Sequence, residues 1–190
     1  MAKRKGRATG LPSIFLVLFL SACICAPALG NPNRKREYEI KAAFLYNFTK
    51  FVAWNDASFP DDRAPFVIAV LGDDPFGDAL SALERETAHG RPIVVRRAAS
   101  LDALGPCHLL FVSSSAESRL AAVLRAAHAR NILTVGDMEG FASRGGIIEL
   151  VLAGDRVGFE INMNSARLAG LAISSKLLAL AKIVHRESEK

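Results

Sequence analysis

NILTVGDMEGFASRGGIIELVLAGDRVGFEIN, residues 131–162, decides the fold. It opens on a short β-branched run, Ile132 to Val135, that stops at Gly136-Asp137. It closes on two alternating runs separated by Ala153-Gly154, so it reads as a buried strand, a loop and a hairpin. A two-residue loop at Ala153-Gly154 predicts that Leu152 faces Asp155, Leu150 faces Val157 and Ile148 faces Phe159. Both strands then turn their apolar residues to one side, while Glu149, Val151, Arg156, Gly158 and Glu160 share the other. The first face is core; the second is polar and open to contact.

Upstream, Phe66 to Leu71 (FVIAVL) is a continuous apolar run, as expected of a strand covered on both faces. Asp74 is placed to cap a following helix, with Pro75 at its first position and Phe76, Leu80 and Leu83 on its buried side up to His89-Gly90. Ile93 to Arg96 and Cys107 to Val112 read as the second and third strands. A helix after Ser113-Ser114-Ser115 turns Leu120, Val123, Leu124 and Ala127 inward. Strand, helix, strand, strand, helix, strand is an α/β order. It predicts a three-layer domain, a mostly parallel sheet with helices on both faces, plus a C-terminal β-hairpin and helices. Ahead of the first strand, a helix from Glu37 carries Ile40, Phe44, Phe48, Phe51 and Val52 on one stripe, with Lys41 and Lys50 off it. Asn55 to Pro65 is a turn-rich connection. Beyond the hairpin, Ser165 to Leu171 reads as a short helix. Ser174 or Ser175 caps a last one bearing Leu177, Leu180, Ala181 and Val184.

The length of 190 residues fits one domain once a targeting segment is removed, and 51% hydrophobic against 23% charged residues describes a packed core rather than a disordered chain. The net charge of +5 misleads, because Lys3, Arg4, Lys5 and Arg7 precede the first acidic residue; without them 20 basic residues face 19 acidic ones. That balance gives no electrostatic case for nucleic acid. The basic start, the apolar run Ile14 to Leu20 and the small residues that follow form a secretory signal. Ala26-Pro27-Ala28 fits ordinary cleavage, giving a signal peptide over 1–28, a flexible leader over 29–36 and a domain over 37–185. Leu20-Ser21-Ala22-Cys23 equally resembles a lipobox that would make Cys23 a lipidated N-terminus. Both routes end in the periplasm, soluble or lipid-anchored. In that oxidising compartment Cys107 is the one cysteine well clear of the signal, read either as a small buried apolar residue or as half of an intermolecular disulfide.

No catalytic template is satisfied. There is no G-x-S-x-G elbow, and Ser113 to Ser115 have no His or acid paired to them by motif. Gly72-Asp73-Asp74-Pro75-Phe76-Gly77 occupies a phosphate-loop position, but its two carboxylates would repel an anion and Pro75 removes an amide donor. His89, His108, His128 and His185 lack metal-ligand spacing, and adjacent Cys107 and His108 would point to opposite faces of a strand. Asp61-Asp62 and Asp73-Asp74 lie in turns, where Asp serves the backbone. The sequence therefore predicts no enzyme, no metal and no cofactor. Two features stand as candidate recognition sites. One is the loop Asp137 to Gly146, with Phe141, Arg144 and the close-approach pair Gly145-Gly146. The other is the polar hairpin face, with Glu149, Arg156 and Glu160.

KAAFLYNFTKFVAW at 41–54, ILTVGD at 132–137, FASRGGIIELVL at 141–152, RVGFEIN at 156–162 and ISSKLLALA at 173–181 together resemble the YfiR-like family of periplasmic proteins, from about Glu37 to Val184. The resemblance implies a compact, often dimeric α/β domain without enzymatic activity. Such a protein binds and represses the periplasmic sensor domain of an inner-membrane diguanylate cyclase, lowering cyclic di-GMP signalling and biofilm formation; binding of peptidoglycan or small aromatic and hydrophobic ligands is the alternative it implies. The match falls on Gly145, Gly146, Glu160 and Asn162, and on Ser174, Ser175 and Lys176 in the last helix. Relatives often carry a cysteine in the first strand that could bridge to the one matching Cys107. This chain has Ala69 in that neighbourhood, which puts redox control through that bond in doubt.

Overall fold

The computed structural model describes residues 32–154, 156–182 and 184–185; the stretch read as a secretory signal, with Cys23, lies outside the described residues. In chain order the elements are α1 (Pro32–Phe51), β1 (Val52–Ala53), β2 (Phe66–Leu71), α2 (Asp78–Ser81), β3 (Thr87–Ala88), β4 (Arg91–Ala98), α3 (Leu101–Leu104), β5 (Leu109–Val112), α4 (Leu120–His128), β6 (Leu133–Gly136), β7 (Ile148–Ala153), β8 (Arg156–Asn162), α5 (Met163–Leu168), β9 (Ala172–Ile173), α6 (Ser175–Leu180) and β10 (Val184–His185). The main sheet runs β10-β8-β7-β6-β5-β2-β4-β3. Neighbours from β4 through β7 are parallel, as are β10 and β8; β8 is antiparallel to β7, and β3 to β4.

Alternation along the central strands builds two cores. Phe66, Ile68 and Val70 of β2, with Phe111, Val135, Leu150 and Phe159, pack on one face against Leu45 and Phe48 of α1, Leu80 of α2 and Leu177 of α6. Val67, Ala69 and Leu71 pack on the other against Leu104 of α3 and Leu120, Val123, Leu124 and Ala127 of α4. The expected three-layer α/β architecture is thus present, and all six residues of β2 are buried. Each fully buried large apolar side chain contributes about 1.5 to 3 kcal/mol. A separate ladder, Val52↔Ile173 in β1 and β9, ties the end of α1 to the segment before α6.

The hairpin keeps its predicted faces with a shifted turn. Its pairs are Leu152↔Val157, Leu150↔Phe159 and Ile148↔Ile161, closing at Ala153↔Arg156, because the left-handed turn conformation begins on Gly154 (φ 60°). Partners move by two residues, an even step, so Leu150 still faces the core and Glu149 the opposite side.

Several boundaries differ from expectation, α5 (Met163–Leu168 against Ser165–Leu171) and β4 (Arg91–Ala98 against Ile93–Arg96) among them. Helix α1 starts at Pro32 rather than Glu37, since proline's fixed φ suits a first helical turn. Its buried residues are Lys41, Ala42, Leu45, Phe48 and Thr49, with Val52 buried just past its end, while Ile40 is 36% exposed and Phe44 and Phe51 only partly covered. Asp74 does not cap α2; its carboxylate accepts the Phe76 amide (2.7 Å) in a local turn, and the helix begins at Asp78. That helix tightens into a 3-10 turn and gives way to the β3–β4 hairpin, whose His89 (φ 52°) and Gly90 (φ 73°) supply the two left-handed residues of a tight turn. At the far end, Ser174 caps α6 by accepting the Leu177 amide (3.3 Å). The helix stops at Leu180 because the Lys182 amide is drawn to the Phe159 carbonyl (2.8 Å), laying β10 beside β8.

Candidate functional site

The loop after β6 is built around Phe141, which is fully buried. A Cβ on Gly136 would lie 2.6 Å from the Phe141 ring and one on Gly146 2.1 Å from it, so both glycines exist to let the ring rest on the backbone. Glu149, 7% exposed, closes the loop by accepting the amides of Gly140 (3.0 Å) and Ala142 (2.9 Å). Asn162 donates to the Ala142 carbonyl (2.7 Å) and caps α5 by accepting the Ser165 amide (3.0 Å). Thr134 accepts the Ile147 amide (3.0 Å). The family blocks GGIIEL and RVGFEIN thereby act as staples of the fold.

Of the candidate contacts, Phe141, Gly146 and Glu149 therefore lie inside the protein and Asn162 is spent on caps, while Gly145 (φ 101°) turns the chain between them. Arg144 is at the surface in an exposed ion pair with Glu117 (2.7 Å), which is worth under about 1 kcal/mol. Arg156 is exposed, Glu160 partly so, and Glu149 and Glu160 oppose one another across the hairpin. Ser175 and Lys176 are exposed at the start of α6.

A polar cluster absent from the sequence reading lies at the carboxyl end of β6. Lys41, 4% exposed, reaches Asp137 (2.6 Å) and Glu37 (2.5 Å). Tyr38 donates its hydroxyl to the same Asp137 oxygen (2.9 Å), and its ring lies 4.4 Å from the Lys41 ammonium. Burial works to lower the Lys41 pKa, but its hydrogen bonds to Asp137 and Glu37 and the Asp137 charge outweigh it, and the net direction is upward. Burial raises the Tyr38 pKa, and Asp137 raises it further. The spacing Tyr38, Lys41, Leu45, Phe48, Val52 runs three, four, three, four; that period, with Glu37 four residues before Lys41, is the signal that would have placed the lysine inward.

Above this cluster, the amino-terminal half of α1 is flanked by two clefts. One, floored by Tyr38 and Phe76, opens toward Asp74 and Gly77. Tyr38 meets Phe76 edge-on (5.3 Å), and Phe76 meets Phe111 likewise (4.7 Å). The other lies between α1 and the hairpin tip and is lined by Arg36, Ile40, Leu152 and Val157. Ile40 is 36% and Leu152 54% exposed, so this cleft has an apolar edge beside a cationic one.

Cys107 is a buried free thiol whose pKa burial pushes up to about 12, the state of an unreactive packing residue. Ala69 pairs with Leu110 of β5, three residues beyond Cys107, which precedes the strand. His108 and Cys107 do point to opposite faces, toward Phe66 and toward the α4 side respectively. Among the described residues no group of three or more His, Cys, Asp or Glu could hold a metal, and no helix is long and apolar enough to cross a membrane.

Sheet order, helices on both faces and a self-paired polar cluster at the strand ends define an α/β domain. The chain belongs to the YfiR/HmsC-like family, whose model matches residues 38–182. No curated protein matches it. Among solved structures it is similar to a conserved domain protein from Vibrio cholerae O1 biovar El Tor str. N16961, at 14% identity and TM-score 0.50 over 77% of this chain and 60% of that one. It is also similar to an ABC domain in complex with L-Trp from Streptococcus pneumonia, at 12% identity and TM-score 0.45 over 63% of this chain and 55% of that one. The chain thus spans little more than half the length of these structures, and the first likeness is one of fold.

Proposed function

We propose that this chain is a non-enzymatic periplasmic regulator that binds the periplasmic sensor domain of an inner-membrane diguanylate cyclase and represses it. The observation that carries this reading is the family match across 38–182, nearly the whole of the described domain. The face we assign to the partner is the amino-terminal half of α1 with the hairpin tip, where Ile40, Leu152 and Val157 lie beside Arg36. An apolar patch rimmed by charge is what a protein interface needs. Arg144, Arg156 and Glu160 are proposed as outlying contacts. Repression needs only that the chain bind the inactive conformation of the sensor better than the active one. A tenfold preference corresponds to about 1.4 kcal/mol.

A second reading, a module for peptidoglycan fragments or small aromatic molecules, draws on the cleft floored by Tyr38 and Phe76. Affinity capture from crosslinked membranes separates the two. Enrichment of a diguanylate cyclase supports the regulator; retention on peptidoglycan with no cyclase supports the ligand module.

A further inference from the structure

Residues 54–65, which join β1 to β2, are fastened to the sheet through an imidazole and a guanidinium. His108, just ahead of β5, is 5% exposed. Its Nδ1 accepts the backbone N–H of Val67 (2.9 Å), and its Nε2 lies 3.1 Å from the Ser58 carbonyl oxygen. A backbone amide offers only a hydrogen and a carbonyl only lone pairs, so these partners fix the tautomer: Nε2 carries the proton and Nδ1 the lone pair. The ring is stacked on Phe59 (4.3 Å) and Phe66 (4.9 Å), and Trp54 Nε1 donates to the His108 carbonyl (3.3 Å). Arg91 of β4 adds a second tie, donating to the carbonyls of Asp61 (2.7 Å) and Ala64 (2.9 Å) with its guanidinium 4.1 Å from the Phe59 ring centre.

We propose that His108 is an acid-sensitive clasp. A proton added at Nδ1 turns the acceptor into a donor aimed at the Val67 N–H; that bond is lost and the imidazole separates from the amino-terminal end of β2, carrying with it residues 54–65, whose Ser58 carbonyl its Nε2–H still holds. The charged and titratable groups acting on the ring oppose a second proton on it: Arg91 and Arg96 of β4, and His89 on the β3–β4 turn, which stacks on Phe66 from 5.9 Å. Burial, the largest influence, likewise holds the His108 pKa below its ordinary value, against a smaller opposing effect of the Ser58 bond. Acid therefore acts on a closed, neutral ring, and opening uncovers the apolar faces of Phe59, Phe66 and Trp54. The clasp rests on no part of the partner assignment.

Amide hydrogen exchange by NMR on the processed protein purified from the periplasm tests it, with rates corrected for the intrinsic pH dependence of exchange. Protection at Val67 is expected to fall about tenfold for each pH unit below about 6.5, the ordinary histidine value. His108→Asn, which offers Val67 a neutral carbonyl oxygen, is expected to abolish that slope, while His128→Asn keeps it. A flat Val67 profile in the wild type, or an unchanged slope in His108→Asn, overturns the clasp. If His108→Asn does not fold, the wild type decides alone: Val67 protection equal to that of Val135 in β6 at every pH means exchange through global unfolding only and overturns it, and a lower, pH-dependent protection at Val67 than at Val135 supports it.

Discussion

Breaking the Lys41–Asp137 pair from either side is expected to have unequal cost. Lys41 is 5% exposed in its side chain and Asp137 11%, so neither charge is easily rehydrated. In Lys41→Met the Asp137 carboxylate keeps only the Tyr38 hydroxyl at 2.9 Å among its two described partners, and Glu37 also loses its cation. An uncompensated buried charge costs about 3 to 5 kcal/mol. In Asp137→Asn the ammonium keeps Glu37 at 2.5 Å and the Tyr38 ring at 4.4 Å. The loss is then nearer a charge-assisted hydrogen bond, about 1.5 to 3 kcal/mol. The double substitution is expected to cost less than the sum of the two, because the second change removes the charge that the first leaves stranded. Urea unfolding followed by circular dichroism measures all three. An Asp137→Asn loss equal to or above that of Lys41→Met, or strict additivity, would refute the reasoning.

Three further outcomes follow from the same geometry. Gly146→Ala puts a Cβ 2.1 Å from the Phe141 ring and should cost about 1 to 3 kcal/mol or more; the loss should shrink in combination with Phe141→Leu, read from urea midpoints. Stability should fall as pH drops below about 6.5, because His108 and His128 have lowered folded-state pKa values and the unfolded chain binds protons first. It should fall again above about pH 10, where the raised Lys41 and Tyr38 pKa values mean that the unfolded chain loses protons first; unfolding midpoints across pH test both limbs. The Cys107 thiol should resist a disulfide reagent in the native protein at pH 8 and react fully in guanidinium; native reaction at the rate of a free thiol contradicts its burial.

The parts of this protein legible in sequence are those governed by short periods. FVIAVL could only be a doubly covered strand, and the hairpin faces survived a displaced turn because parity does not depend on where the loop falls. Helix α1 misled because Ile40 and Phe44 make an apolar stripe as regular as the real one. Hydrophobicity alone cannot show that Lys41 gains two carboxylates, one of them from a loop 96 residues away. Phe141 and Gly146 misled for a related reason. A glycine that admits close approach does not say what approaches, and here it is a ring of the same chain. Glu149 reads as a solvent-facing strand residue until the loop folds back and presents two amides to it.

Cyclic di-GMP in a strand-by-strand intact but surface-altered protein tests the central claim most directly. In cells lacking the gene, wild-type complementation is expected to lower cyclic di-GMP. Ile40→Glu/Leu152→Glu, at exposed positions and with an unchanged circular dichroism spectrum as the check on its fold, is expected to leave cyclic di-GMP at the level of the deletion. Equal levels in deletion and wild type, or full repression by the doubly substituted protein, would contradict an account in which this chain regulates a cyclase through that face.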